Sequence, residues 1–208
     1  MLKLAKIYLP VHELNLSPIK LPELQSLELD MDTQFMAWFF TLLAPEDHKL
    51  SLHIASQSTE RTAELIHTLC QFFRQARIVS LRIRGYSWLP FADVIAYLPH
   101  LELLQIYDPA DPYPVSRGAH TQTELLPRLH TLILVRCTTR DVESDLGAIM
   151  RLPSVEHIIF WDFFSGQIDT FRMNIDQVRE LMHGLGVTAN VSRSAQPIPG
   201  FSHPFPFL

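Results

Sequence analysis

The sequence predicts an α/β fold: a solenoid with a curved parallel β-sheet lining its concave side and helices and irregular crossovers on its convex side. Three observations lead there. A nine-residue frame, Leu-Pro-x-φ-x-x-φ-x-φ (φ apolar), starts at Leu21, Leu98, Leu126 and Leu152. Two degenerate frames, starting at positions 46 and 75, fill the gap with Leu52-His-Ile54 and with Ile78, Leu81 and Ile83. The starts are therefore 25, 29, 23, 28 and 26 residues apart, and several intervening segments carry helical periodicity.

The frame has a simple physical reading. Alternate side chains of a strand point to the same side, so the two φ positions of φ-x-φ face a core and the x positions face away. Each strand then pairs in parallel with the next, which demands a crossover between them, usually a helix.

In chain order, residues 1–20 are expected to form an N-terminal cap or atypical first repeat, with Leu14-Asn-Leu16 as a candidate short strand. The repeat array is expected over 21–191, with about six to seven repeats. Thr33–Ala44 reads as a helix, apolar nearly all round, that Pro45 stops. Thr59–Arg74 places Leu65, Ile66, Leu69, Cys70 and Phe73 on one helical stripe. Ser87 opens a helix to Tyr97, with Pro90 in its first turn. Asp108–Gly118 is rich in proline and turn formers and reads as a loop, followed by at most a short helix near Gln122–Leu125. Thr138-x-x-Asp141 resembles a capping box ahead of Val142, Leu146, Ile149 and Met150. Asp162–Phe171 reads as an aromatic-bearing loop. Asn174-x-x-Gln177 opens a helix through His183, with Gly184 as its C-cap, and Val187–Val191 alternates like an edge strand. Residues 192–208 form a tail with Pro197, Pro199, Pro204, Pro206, Phe201, Phe205 and Phe207.

These residues carry a family resemblance. The frame resembles a leucine-rich repeat of the cysteine-containing kind: its spacings fall within that repeat's 20–29-residue period. Cys137 stands where the pattern has Cys or Asn, while Asp32, Tyr86, Pro109 and Phe163 occupy the same position in other repeats. The irregular period and Leu-Pro-x-Leu starts most resemble the C-terminal repeat half of fungal F-box/leucine-rich-repeat proteins, over roughly Leu14 to Val191. The resemblance implies a non-catalytic protein–protein interaction module, plausibly the substrate-recognition part of an F-box-type ubiquitin ligase receptor. Residues 1–40 show no three-helix apolar pattern, so a ligase adaptor is expected as a partner only if an F-box lies outside this chain.

In a solenoid the x positions of successive strands line the concave, partner-binding face. Here they are Ser26, Glu28 and Asp30; Ser51, His53 and Ala55; Ser80, Arg82 and Arg84; Leu103, Gln105 and Tyr107; Thr131, Ile133 and Val135; His157, Ile159 and Trp161. The face begins acidic, turns basic and ends apolar. Partner contact is expected at Arg82, Arg84, Gln105, Tyr107, Ile133, Val135, His157, Ile159 and Trp161. Exposed together, Leu103, Tyr107, Ile133, Val135, Ile159 and Trp161 would make a large apolar patch of the kind that marks an interface. The alternative is a structural or regulatory array whose concave face is covered by its own tail.

Other chemistry lacks its residues. The ten histidines and two cysteines show neither metal-ligand spacing nor a disulfide framework, so no metal and no cofactor are expected. Cys137 reads as a buried repeat position. His100 and His130 read as exposed frame positions, and Asp30, Asp32, Asp108 and Asp162 as caps of the turns that leave each strand. An enzyme built on those aspartates is the third and weakest reading. A net charge of −5 gives no nucleic-acid footprint. The run Phe35–Ala44 is too short to span a bilayer, and no signal peptide is evident, so no membrane partner and an intracellular location, cytoplasmic or nuclear, are expected.

Overall fold

The computed structural model describes residues 2–5, 19–20, 23–45, 47–55, 63–84, 97–107, 128–138, 145–165 and 171–194. They form a mixed α/β structure. Its strands are β1 (Leu2–Ala5), β2 (Ile19–Lys20), β3 (Ser26–Asp30), β4 (Leu43–Ala44), β5 (Lys49–Ala55), β6 (Arg77–Arg84), β7 (Leu103–Tyr107), β8 (Thr131–Thr138), β9 (His157–Ser165), β10 (Phe171–Arg172) and β11 (Asn190–Arg193). Its helices are α1 (Thr33–Leu42), α2 (Ala63–Gln75), α3 (Asp145–Met150) and α4 (Ile175–Gly184).

One nine-stranded sheet holds nearly everything, in the order β1-β3-β5-β6-β7-β8-β9, with β10 and β11 both on the far side of β9. All its strands run parallel except β10, which folds back antiparallel on the end of β9. The short pair β2–β4 stands apart. Neighbours in sequence are neighbours in space, as the repeated frame requires.

The register follows the apolar frame. Leu27, Leu52, Leu81, Leu104, Leu132, Ile158 and Val191 form one row across the sheet. Leu29, Ile54, Ile83, Ile106, Leu134 and Phe160 form the next. No member of either row is more than 7% exposed. Burying one such side chain contributes roughly 1.5–3 kcal/mol, so two continuous rows fix which face of each strand points inward.

The helices close over those rows. Met36, Ala37 and Phe40 of α1, Leu65, Leu69, Phe72 and Phe73 of α2, Ile149 and Met150 of α3, and Val178 and Met182 of α4 share one core with the strand leucines. Phe40 and Phe72 meet ring to ring at 4.7 Å, locking α1 to α2. Asp32 caps α1 by accepting from the Gln34 N–H at 2.9 Å. Asn174 and Gln177 make the reciprocal capping box of α4, as the sequence predicts.

Two strands turn over together. Arg136 and Asp162 take left-handed backbone angles, φ 58° and 56°, while their neighbours stay paired, Val135 with Trp161 and Cys137 with Phe163. The kink skips one alternation, so Cys137 and Phe163 return to the core at 0% and 3% exposure. Cys137 is thus buried as expected, and Phe163 packs edge-on against Phe160 at 5.0 Å.

Several boundaries differ from the sequence reading. Leu2–Ala5, within the span 1–20 read as a cap or atypical first repeat, is a strand of the main sheet, with Leu2 paired to Leu27. Of the expected loop over Asp162–Phe171, residues 162–165 are the end of β9, which keeps pairing with β8 beyond the kink, and Phe171 starts β10, while 166–170 lie outside the described residues. Thr138 is the last residue of β8, and the rest of the expected capping box, residues 139–144, lies outside the described residues. α4 includes Gly184, and Gly186 is the residue with positive φ, 75°. The last strand sits at Asn190–Arg193, so residues 192 and 193 belong to the sheet and not to the tail. α1 stops at Leu42 because Leu43–Ala44 pairs with β2. The expected features at Leu14–Leu16, at Ser87–Tyr97 up to residue 96, at Asp108–Gly118, at Gln122–Leu125 and in the tail beyond 194 lie outside the described residues.

Candidate protein-binding face

The side of the sheet opposite the helices carries the x positions, in rows set by the same register. One row runs Glu28, His53, Arg82, Gln105, Ile133, Ile159. The next runs Asp30, Ala55, Arg84, Tyr107, Val135, Trp161. A third, Ser51, Ser80, Leu103, Thr131, His157, borders them. The structure therefore brings all nine sequence-derived candidates onto one face: Arg82, Arg84, Gln105, Tyr107, Ile133, Val135, His157, Ile159 and Trp161. Their strands are about 4.8 Å apart, so the passage from acidic to basic to apolar takes place over five adjacent strands.

The acidic edge is coupled to a histidine. His53 Nδ1 lies 3.6 Å from Glu28 Oε1. Burial pushes the His53 pKa below its ordinary value; Glu28 pulls it up, while Arg82 and Arg84 push it further down. Desolvation outweighs the carboxylate, so the imidazole is held toward its neutral form.

The basic centre is tied to the apolar end. The Arg84 guanidinium lies 5.3 Å from the centre of the Tyr107 ring, a cation–π contact. Val135, Tyr107, Ile133 and Trp161 form a second apolar cluster, separate from the main core and on the opposite side of the sheet.

Exposure departs from expectation. The apolar end, read either as a partner site or as covered by the chain's own tail, is not open: Val135 is 0% exposed, and Leu103, Tyr107, Ile133, Ile159 and Trp161 are all at least partly buried. Gln105 is also 0% exposed, and neither atom of its side-chain amide has a hydrogen-bond partner. A buried polar group left unpaired costs about 1–3 kcal/mol, so this amide weakens the free chain. The sequence placed Gln105 on the face; its burial was not legible there.

Asp162 was read as a turn cap, yet its carboxylate pairs with Arg172 of β10, just beyond Trp161. Sequence reasoning missed that contact because it read a loop where the hairpin lies. His157 is exposed, 4.0 Å from Glu156. His130 is exposed as expected, whereas His100 is partly buried. Asp30 ends β3 within the face, and Asp32 caps a helix. Among the described residues no three His, Cys, Asp or Glu come together as metal ligands. Among them, too, no helix is long and apolar enough to cross a membrane. A recess on the helix side, between Leu24, Leu43, His48 and Leu50, encloses about 20 Å³, room for about one water.

No protein-family model, no curated protein and no solved structure matches this chain.

Proposed function

We propose that the chain is a leucine-rich-repeat solenoid acting as a non-catalytic protein–protein interaction module, with the side of its sheet opposite the described helices as the concave, partner-binding face. The observation that carries this reading is the second apolar cluster, Val135 with Tyr107, Ile133 and Trp161, set beside Arg82 and Arg84 on the side of the sheet opposite the described helices. Aromatic residues and arginine are the types most enriched among interface hot spots. The even steps between strand partners and the burial of Cys137 at the end of its frame support the repeat assignment.

By the family resemblance, the partner would be a ubiquitylation substrate and the setting intracellular, with a ligase adaptor as a further partner only if an F-box lies outside this chain. A second reading has the chain's own tail over the apolar end, and the complete burial of Val135 favours it. The test is affinity capture with wild type and with the triple variant R84A/Y107A/W161A, followed by calorimetry on each purified captured protein. Loss of about 2 kcal/mol or more per hot-spot side chain would support the face. If every captured protein binds the triple variant as tightly as wild type, the interaction reading fails. Deleting residues 195–208 tests the second reading, which requires new dye-binding apolar surface to appear.

A further inference from the structure

Two features meet at the joint between β5 and β6. The first is a slip in register. Leu50 pairs with Ile78 but Ser51 pairs with Ser80, so the ladder skips Val79. Among the described strand pairs, this one alone slips. A residue left over in one strand disrupts the hydrogen-bond ladder locally. The second feature is a change in the sign of charge. On the side of the sheet opposite the described helices, β3 presents Glu28 and Asp30, β6 presents Arg82 and Arg84, and β5 stands between them with His53 and Ala55. His53 is thus one strand, about 4.8 Å, from acid on one side and from base on the other. Its Nδ1 lies 3.6 Å from Glu28 Oε1, and its side chain is 14% exposed.

A proton on His53 unbalances this arrangement. Burial opposes the proton most, Glu28 favours it, Arg82 and Arg84 oppose it, and Asp30 favours it. Once charged, the imidazole is drawn toward β3, pushed from β6, and left short of water. Parting β5 from β6 on that side of the sheet answers all three. The helix side resists the same motion. Phe40 of α1 and Phe72 of α2 meet at 4.7 Å within the main core, and α2 is itself the connection from β5 to β6. The joint can therefore open on one side and pivot on the other.

We propose that the β5–β6 joint is a proton-sensitive hinge: protonated His53 carries β5, with β3, away from β6 on the side of the sheet opposite the described helices, while the α1–α2 packing stays closed. The hinge goes beyond the interaction reading and does not need it, since every group it uses belongs to this chain. Its sign follows from linkage. A proton resisted in the closed joint and accepted in the open one favours opening as pH falls. A single proton can change that equilibrium by at most about tenfold per pH unit.

The experiment is hydrogen–deuterium exchange on the full chain, read by mass spectrometry at pH 7.5 and 5.5, with labelling times scaled to the intrinsic exchange rates. Protection of β5 and β6 is expected to fall severalfold at the lower pH, within the limit of about 100-fold that one proton allows over two pH units. Protection of α1, α2 and β8 is expected to hold. His53→Gln should abolish the fall. The double variant R82Q/R84Q should shrink it, because the push from β6 is gone. A fall of the same size in His53→Gln assigns the effect to another group and overturns the proposal. An undiminished fall in R82Q/R84Q overturns it too, because the charges on β6 would then drive nothing. Wild type alone gives two further refutations, which stand whether or not the variants fold. An equal fall in α1, α2 and β8 means that the whole chain unfolds, and no fall in β5 and β6 means that the joint is rigid.

Discussion

Position 136 sets two physical rules against each other. Arg136 lies inside β8, where strand propensity favours Val over Gly by about 1 kcal/mol. Its φ of 58° reverses that order. A left-handed residue with a Cβ costs about 1–2 kcal/mol, more for a β-branched one, and glycine pays nothing there. The Arg136 side chain is exposed, so no core volume changes, and whatever contacts it makes are lost equally in both variants. Arg136→Gly is therefore expected to be more stable than Arg136→Val by about 1–2 kcal/mol. Urea unfolding at pH 7.5, followed by tryptophan fluorescence and circular dichroism, measures the difference from two midpoints. A Val variant as stable as the Gly variant would refute the kink, and with it the reason Cys137 faces the core.

Three further outcomes are expected. Leu132→Ala should cost about 3–4 kcal/mol, because a fully buried leucine leaves a cavity, whereas Ile133→Ala, one residue on and on the other face, should cost about 1 kcal/mol and act mainly on binding; paired urea midpoints check the contrast. His53 has a lowered pKa when folded, so below about pH 6.5 the unfolded chain takes up a proton that the folded chain resists. Stability is then fully present above that pH and falls as pH drops toward the folded value. His53→Gln should flatten this fall and Glu28→Gln should extend it to lower pH, read as urea midpoints from pH 7.5 to 5; identical slopes in wild type and His53→Gln would rule the effect out. Asn174→Ala should destabilise by about 1 kcal/mol through loss of the α4 capping box, and Gln177→Ala in the same background should add little, since the two side chains act reciprocally.

Much of the fold was legible because the informative residues repeat. Leu52, Leu81, Leu104, Leu132 and Ile158 pair strand to strand at the offsets the frame predicts. What the frame could not carry was lost. Leu2-Lys-Leu4 has the φ-x-φ strand without the Leu-Pro start, so β1 was not singled out as a strand within the expected cap or atypical first repeat. β9 runs through an aspartate with positive φ, a residue that reads as a turn, so the β9–β10 hairpin looked like a loop. The members of the candidate face were legible because alternation assigns every second residue to it. Their burial was not, because alternation says which side of the sheet a residue faces and not what packs over it, and Val135 and Gln105 are both 0% exposed. The Asp162–Arg172 pair escaped for the same reason as the hairpin that creates it.

The account depends on adjacent residues of each strand looking to opposite sides of one parallel sheet. Methyl-labelled solution NMR tests this directly through contacts between Ile, Leu and Val methyl groups. The expected spectrum shows Leu134 in contact with Ile106, and Ile133 in contact with Ile159, with no cross-peak from Ile133 to Ile106. Cross-peaks from Ile133 to Ile106, with none from Ile133 to Ile159, would put the candidate face inside the core and contradict the account.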